Sequence, residues 1–305
     1  MIRVALALSI VVAAAAGAPA SAAGANVVCR LAPTATAPIQ ADDPMVEAAP
    51  TAVCPAGLVP QPLGHFTPKG MPALRAHNLP GVDSAPENAI YYFYASAFRE
   101  ASAVESQGKF TQYQPQVAAG DYHSLAEMAG ESADAMNIIE VGWTVDPSLN
   151  GDANPHLFVF HWVNGSPTCY NGCGWVQVST TRYPGMPVTV STKPETYAFR
   201  FDGSSWWVGY QGEWIGYFPG SLWAGQFTHL DITQWFGEVA AAGPTPCSQM
   251  GDGVLGTGTG AALVAAEKLT GSPGAPLPGE VTDASYYALG AITGMGHRFG
   301  GPGAC

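Results

Sequence analysis

The sequence predicts an all-β protein whose antiparallel strands form a sandwich or a barrel. Short runs of aromatic and β-branched residues recur from Ile90 onward, with Gly, Pro, Asn and Asp between them. The chain has 37 glycines and 26 prolines, which indicates frequent turns. The runs predict strands near residues 90–97, 110–117, 137–145, 156–163, 174–180, 186–191, 196–202, 205–211, 213–218 and 232–239.

Turns and two helical segments complete the predicted elements. The pairs Asp202-Gly203 and Gln211-Gly212 are typical of hairpin turns, so most connections are expected to be antiparallel. One or two helical turns are expected within residues 219–230. A helix is predicted over residues 260–269, where most residues are good helix formers, and a short late strand is predicted within residues 285–291.

The chain is expected to divide into three parts. Arg3 precedes an apolar run and then small residues, which is the layout of a secretory signal; an uncleaved anchor is the alternative. A following segment rich in Ala, Pro and Thr shows no strand or helix period. We therefore expect a signal peptide at 1–23, a weakly structured propeptide or linker at 24–84, and a β-rich domain at 85–305.

Composition restricts the compartment and the partners. The net charge is -12 and the pI is near 4.8, so neither nucleic acid nor an anionic membrane is expected as a partner. Only 11% of the residues are charged, against about 25% in an average soluble domain. No segment after the signal is apolar for long enough to span a membrane. We expect a secreted, extracellular monomer.

Six cysteines form an even set, which predicts disulfides in an exported chain. Cys169 and Cys173 bracket a turn, Cys29 with Cys54 would close a loop, and Cys247 with Cys305 remain. The spacing is a poor zinc signature. Neither a metal site nor a cofactor is predicted.

Carboxylates are the groups through which the β-rich part could act chemically. The sequence has no H-E-x-x-H, no G-x-S-x-G, no phosphate loop and no dinucleotide fingerprint. Glu140 lies mid-strand and alternates with Ile139, Val141, Trp143 and Val145, which are expected to face the core. Such a glutamate is either a solvated residue or a placed functional group.

A second mid-strand glutamate, Glu238, is the natural partner of Glu140. The contexts Glu-Val-Gly-Trp and Trp-Phe-Gly-Glu each place a glutamate beside Gly, which permits close approach, and Trp, which lowers the local dielectric. Like charges disfavour double ionisation in a dry cleft, so one acid keeps its proton while the other accepts one from water.

A series of motifs runs through residues 90–255 in a fixed order: Glu140-Val-Gly-Trp-Thr-Val-Asp-Pro, Cys169-Tyr-Asn, Cys173-Gly-Trp-Val-Gln177, Ser205-Trp-Trp, Ile215-Gly-Tyr-Phe-Pro and Trp235-Phe-Gly-Glu-Val. This series resembles the neprosin family of glutamic peptidases. The resemblance implies a sandwich of two antiparallel sheets, somewhat lectin-like, with one catalytic glutamate on each sheet. Phe236 departs from the plant members, which have Gly there, and could narrow the cleft.

By the resemblance, Glu140 and Glu238 are the catalytic pair of an acid endopeptidase that cleaves after proline. One glutamate would activate water and the other would polarise the carbonyl. The partners would be peptide or protein substrates, including proline-rich ones, and self-cleavage of a zymogen in acid is a hypothesis. Candidate substrate-binding residues are Trp143, Trp162, Tyr217 and Trp235 as pocket walls, and Tyr170 and Gln177 as oxyanion donors.

Two other classes of function remain open from the sequence. A secreted lectin-like module could stack sugars on surface tryptophans such as Trp206, Trp207 and Trp214. A glycosidase could use the same two carboxylates. The class of substrate that the protein turns over or binds would discriminate between these functions and a peptidase.

Overall fold

The computed structural model describes residues 27–38, 50–72, 89–276, 278–294 and 296–305. The predicted signal peptide lies outside these residues. The strands are β1 (Val27–Leu31), β2 (Leu58–Pro62), β3 (Tyr91–Gln112), β4 (His123–Glu131), β5 (Ile138–Val145), β6 (His156–Val163), β7 (Ser166–Pro167), β8 (Val176–Gln177), β9 (Ser191–Phe201), β10 (Ser205–Tyr210), β11 (Glu213–Pro219), β12 (Leu230–Ala241), β13 (Ala262–Pro276), β14 (Glu280–Val281), β15 (Ala288–Leu289) and β16 (Gly296–Gly300). Helical structure consists of α1 (Pro147–Asn150) and a 3-10 turn (Gly220–Trp223).

One antiparallel sheet carries most of these strands and curls over itself. Its main path runs β7-β6-β5-β4-β12-β3-β9-β10-β11-β8, and β13 to β16 pair along β3 and with one another. The long strand β3 joins the two halves, because its first part pairs with β12 and its last part pairs with β9. The predicted all-β sandwich is therefore confirmed.

The main core lies between the two halves of the sheet. The β5 residues Ile139, Val141, Trp143 and Val145 are fully buried there, as their alternation predicts. Aromatic residues of β9 and β10, such as Phe199 and Trp206, oppose them in the same cluster. A second apolar cluster covers the other face of β5 and includes Ile138, Phe158, Phe160, Trp162, Tyr170 and Phe236.

Several element predictions were wrong. Residues 91–97 and 110–112 belong to the single strand β3, whose middle alternates exposed and buried residues, and residues 113–117 form no strand. Strand β4 was missed, since its Ala-rich and Glu-containing sequence has low strand propensity, although every residue in it is buried. Residues 174–180 contain only the short β8, and residues 186–191 form no regular strand until Ser191.

The predicted helix at 260–269 is also wrong. This segment forms β13, which pairs with β3 and β16, so tertiary pairing overrides its helix propensity. The expected helical turn within residues 219–230 exists as the 3-10 turn, and the late strand shrinks to β15.

Part of the segment expected to be weakly structured is ordered. β1 and β2 pair as a separate hairpin, and Cys29–Cys54 closes the loop between them. Residues 63–72 then continue onto the face of the main sheet that carries the second apolar cluster, where Met71 packs. The other disulfides are Cys169–Cys173 and Cys247–Cys305, so all three have the pairing expected from the sequence. None of the helices in the described ranges is long and apolar enough to cross a membrane.

Candidate active site

Three glutamates from adjacent strands meet on one face of the sheet. Glu140 lies on β5, Glu127 on the central strand β4, and Glu238 on β12. Register places them on the same side, because Glu127 pairs with Gly142 on one neighbour and with Phe236 on the other, each two residues from a glutamate. All three side chains are fully buried. The resemblance implied that the two catalytic glutamates lie on different sheets, which is wrong. Glu140 and Glu238 lie on the same sheet, with only β4 between their strands.

The sequence makes room for the middle carboxyl at Gly142. A Cβ at this position would lie 2.6 Å from the Cβ of Glu127 and 2.1 Å from the backbone oxygen of Ala126. Only a glycine therefore lets β4 and β5 pair here with Glu127 between them. The other predicted glycine, Gly237, faces the opposite side, where a Cβ would lie 2.5 Å from the ring of Phe299.

The ammonium group of Lys69 lies at the point where the three carboxyls meet. Its Nζ is 2.8 Å from Glu127 Oε1, 3.1 Å from Glu238 Oε2 and 3.4 Å from Glu140 Oε2. It also donates to the carbonyl oxygen of Gly70 at 3.3 Å. A single water-sized position is thus in contact with both predicted catalytic glutamates.

Lys69 reaches this point on an extended segment, residues 63–72, which we call the plug segment. His65 exchanges backbone hydrogen bonds with Tyr170 at 3.1 and 2.9 Å. The hydroxyl of Tyr94 donates to the carbonyl oxygen of Met71 at 2.8 Å. Gly70 passes so close to the sheet that an added Cβ would lie 2.7 Å from the ring of Tyr92. The plug segment is therefore fitted closely to the face that bears the glutamates.

Each glutamate of the predicted pair has one fixed oxygen and one oxygen aimed at Lys69. Trp162 Nε1 donates to Glu140 Oε1 at 2.8 Å, and Glu140 Oε2 faces the ammonium. His123 Nε2 contacts Glu238 Oε1 at 2.8 Å, and the backbone N–H of Gly70 contacts the same oxygen at 3.4 Å. Glu238 Oε2 faces the ammonium.

These environments separate the proton affinities of the pair. Burial raises the pKa of Glu140 to about 7, against the opposing charge of Lys69. Burial also opposes the charge of Glu238, but Lys69 and the hydrogen bond from His123 outweigh it and lower its pKa below the usual value. In the described state, Glu140 therefore keeps its proton to a higher pH than Glu238 does.

Burial and neighbouring charges also shift the pKa values of Glu127 and Lys69. Burial and the neighbouring Glu140 raise the pKa of Glu127 well above the usual value. Burial opposes the charge of Lys69, but the glutamates outweigh it and raise its pKa well above the usual value. One ammonium cannot compensate three buried carboxylates, so Glu127, like Glu140, favours its protonated form.

Two of the predicted substrate-binding residues lie at this site. Trp162 contacts Glu140 directly, and Tyr170 is fully buried on the same face, beside Phe158 and Phe160. The Tyr170 hydroxyl has no hydrogen-bond partner among the described residues. Its pKa is raised well above the usual value by burial and then by Glu238 and other carboxylates, which places it near the site.

Four other predicted residues lie elsewhere. Trp143 and Trp235 are in the main core, on the side of the sheet opposite the glutamates. The ring of Tyr217 lies tilted against Trp207 with the centroids 4.8 Å apart, and Gln177 Nε2 donates to the carbonyl oxygens of Ser179 and Arg182. Strand periodicity predicts which residues share a face of the sheet. It does not predict that the site lies on the face opposite the main core. Phe236 does line the site, with its ring centroid 5.9 Å from Lys69 Nζ.

Sequence reasoning missed Glu127, Lys69 and His123. The missed strand β4 contains Glu127 and His123, so both were overlooked with it. Alternation over Ser124 to Gly130 would have placed Glu127 on one face, but nothing local marks that face as functional. Lys69 lies in a segment without periodicity. Within the described ranges, no group of His, Cys, Asp or Glu has the geometry to hold a metal ion.

The site lies within a recognised family match. Residues 120–268 match the neprosin family model. The recognition made from the sequence motifs is thereby confirmed. The matched part of the chain, here called the neprosin domain, contains Glu127, Glu140 and Glu238, while the plug segment lies before it.

Solved structures with a similar course of the chain include two glutamic peptidases and a sugar-binding module. Scytalido-glutamic peptidase, solved with a peptide-based transition-state analogue, is 9% identical, with a TM-score of 0.41, over 70% of this chain and 100% of that one. SCP-B of the eqolisin family, in complex with the tripeptide Ala-Ile-His, is 10% identical, with a TM-score of 0.38 and the same coverage. A carbohydrate-binding module from Bacillus subtilis is 13% identical, with a TM-score of 0.27, over 48% of this chain and 76% of that one.

Proposed function

We propose that the protein is a secreted acid endopeptidase in which Glu140 and Glu238 act on one water. The observation that carries this proposal is the meeting of Glu140 Oε2 and Glu238 Oε2 around one buried, water-sized position, at 3.4 and 3.1 Å from Lys69 Nζ. A peptidase needs a carboxylate and a carboxylic acid at such a position. The match of residues 120–268 to the neprosin family supports the same reaction class.

Glu238 is the general base in this proposal and Glu140 is the general acid. His123 stabilises the ionised form of Glu238, and burial keeps the proton on Glu140. Because Trp162 Nε1 donates to Glu140 Oε1, the proton of Glu140 belongs on Oε2, the oxygen that faces the reaction. Each carboxyl thus presents one oxygen to substrate and water.

The reaction then balances with these two groups. Water attacks the peptide carbonyl carbon while one of its protons moves to Glu238 Oε2, and the proton of Glu140 moves to the carbonyl oxygen. The resulting gem-diol collapses as the proton on Glu238 moves to the leaving nitrogen. The C–N bond breaks, and one hydroxyl returns its proton to Glu140. The products are a carboxylic acid and an amine, and both glutamates end in their starting states.

The plug segment makes the described state a latent one. Lys69 Nζ occupies the position that the water needs, so hydrolysis requires the plug segment to leave. The charge of Lys69 lowers the pKa of all three glutamates. Release therefore raises the pKa values of the glutamates and takes up protons, so the plug segment binds more tightly near neutral pH than in acid. This direction fits a zymogen that acid activates.

Cleavage after proline is the proposed specificity. Aromatic rings stand beside Glu140 on the site face, where Trp162, Phe160 and Tyr170 pack edge to face or tilted on one another. Such a wall suits the flat, apolar pyrrolidine ring. The proposal of secretion is supported by three disulfides, which persist in oxidising compartments.

The lectin-like alternative has no support in the tryptophans on which it was based. Trp206, Trp207 and Trp214 are buried, with 0%, 2% and 6% of their surface exposed, and cannot stack sugars in this state. Incubation with a proline-containing peptide at low pH tests the peptidase directly. Cleavage by the wild type and its loss in Glu140→Gln and in Glu238→Gln are the expected results; cleavage of a glycan instead of the peptide would overturn the proposal.

A further inference from the structure

Glu127 makes the shortest contact to the group that occupies the water position. Its Oε1 lies 2.8 Å from Lys69 Nζ, whereas the nearest oxygens of Glu238 and Glu140 lie at 3.1 and 3.4 Å. Its other oxygen, Oε2, is buried and has no hydrogen-bond partner among the described residues. The two-glutamate mechanism gives this third carboxyl no task.

The fold holds Glu127 rigidly at the centre of the site. β4 lies between β5 and β12; each of its residues pairs with β12, and all but His123 pair with β5. No residue larger than glycine fits at position 142, opposite Glu127, because an added Cβ would lie 2.6 Å from the Cβ of Glu127. The backbone and the Cβ of Glu127 therefore keep their place when the plug segment leaves.

We propose that Glu127 is a third catalytic residue, whose Oε1 accepts a hydrogen bond from the nucleophilic water at the position now taken by the Lys69 ammonium. This inference rests on the proposed peptidase function. Water and an ammonium group are both tetrahedral hydrogen-bond donors, so the oxygens that receive one suit the other. The water donates one O–H to Glu238 and the second to Glu127. These two hydrogen bonds aim a lone pair of the water oxygen at the carbonyl carbon of the substrate.

Glu127 performs this task as a neutral group. Glu140 on β5 and Glu238 on β12 are the acids that face it, Lys69 is the cation, and the phenols of Tyr94 and Tyr170 lie within its field. Burial and the adjacent Glu140 keep its proton in place. Its carbonyl oxygen then serves as the acceptor, and Glu127 neither gains nor loses a proton while Glu238 and Glu140 exchange theirs with the substrate. A glutamine would offer the same carbonyl oxygen at the same place.

Three variants of the full chain, each brought to acid pH so that the plug segment is released, test the inference. Glu127→Gln keeps the acceptor, Glu127→Leu removes it at similar size, and Glu131→Gln is the matched control. Glu131 is an equally buried glutamate four residues along the same strand and face, but it is bonded to Gln234 and lies outside the site. Steady-state kcat and KM for a proline-containing peptide are measured at acid pH, with thermal unfolding of each variant.

We expect Glu131→Gln to keep kcat within roughly threefold of the wild type, and Glu127→Gln to lose measurably less kcat than Glu127→Leu, because the amide keeps the acceptor oxygen. Glu127→Leu should lose kcat by about 100-fold with an unchanged KM, because a misplaced nucleophile costs about that factor. Glu127→Ala replaces the leucine variant, with the same expected loss of kcat, if that variant does not fold.

Two results would overturn the inference. If Glu127→Leu had the kcat of the wild type, Glu127 would not contact the water. A Glu127→Gln variant as inactive as Glu127→Leu would show that Glu127 must transfer a proton. Glu238→Gln, measured in parallel, separates this failure from that of the proposed function: if Glu238→Gln is also fully active, the peptidase mechanism itself is wrong.

Discussion

Replacing Lys69 by methionine should abolish most of the affinity of the plug segment for the site. Lys69 Nζ lies within hydrogen-bond distance of Glu127 and Glu238, at 2.8 and 3.1 Å, and is buried with both. A hydrogen bond to a charged group contributes roughly 1.5 to 3 kcal/mol. Because the carboxyls recover protons when the ammonium is absent, we take the lower end for each, about 3 kcal/mol in total, which is a loss of roughly 150-fold in affinity.

Inhibition of the freed enzyme by a synthetic peptide measures this loss. The peptide has the sequence of residues 63–72, and its inhibition constant is compared with that of the Lys69→Met peptide. A Thr67→Val peptide is the control, since Thr67 makes one 3.3 Å hydrogen bond to Asp146 away from the glutamates, and should change the constant only a few-fold. The wild-type peptide should weaken as the pH falls, whereas the methionine peptide should not. Equal inhibition by both peptides would refute the role given to the ammonium.

Three further changes test the acid, the packing of β4 against β5, and the disulfides. Trp162→Phe removes an N–H that lowers the pKa of Glu140, so this pKa should rise and the alkaline limb of the kcat/KM profile should move to higher pH; an unmoved limb would argue against Glu140 as the acid. Gly142→Ala places a Cβ 2.6 Å from that of Glu127 and should destabilise the fold by about 1 to 3 kcal/mol in denaturant unfolding, whereas an unchanged midpoint would show that β4 and β5 can separate. Opening Cys247–Cys305, whose partners are 58 residues apart, should cost about 4 kcal/mol, against about 2 kcal/mol for Cys169–Cys173 at 4 residues, and the reverse order would contradict a chain-entropy origin.

The β-sandwich and the positions of Glu140 and Glu238 could be predicted from the sequence. Alternation around Glu140 placed Ile139, Val141 and Trp143 in the core, where the structure has them, and put the glutamate on the second face. The motif series led to Glu238, which the structure brings to the same point as Glu140. These features are local patterns of two strands, so the sequence contains them directly.

The order and pairing of the strands could not be predicted from the sequence. β4 separates β5 from β12 because of long-range pairing, and nothing in its Ala-rich sequence signals a central strand. β13 has the residues of a helix but is held as a strand by β3. Consequently Glu127 was missed, and Trp235 was assigned to the pocket although the register of β12 turns it into the core.

The plug segment was missed for a different reason. Lys69 lies in an irregular stretch, and its partners are on strands about 58 to 169 residues away in sequence. Only the burial of its ammonium among carboxyls distinguishes it from a solvated lysine, and burial of this kind is a property of the folded chain.

The rate of a single turnover with both glutamine variants tests the central claim most directly. Glu140→Gln and Glu238→Gln, each freed of the plug segment, are mixed in excess with a proline-containing peptide at low pH, and peptide binding is measured separately. We predict unchanged binding and a fall in the cleavage rate by about 10² to 10⁴ in each variant, the usual contribution of a positioned acid or base. Cleavage within tenfold of the wild-type rate in either variant would contradict the mechanism, because that carboxyl would then take no part in the reaction of the water.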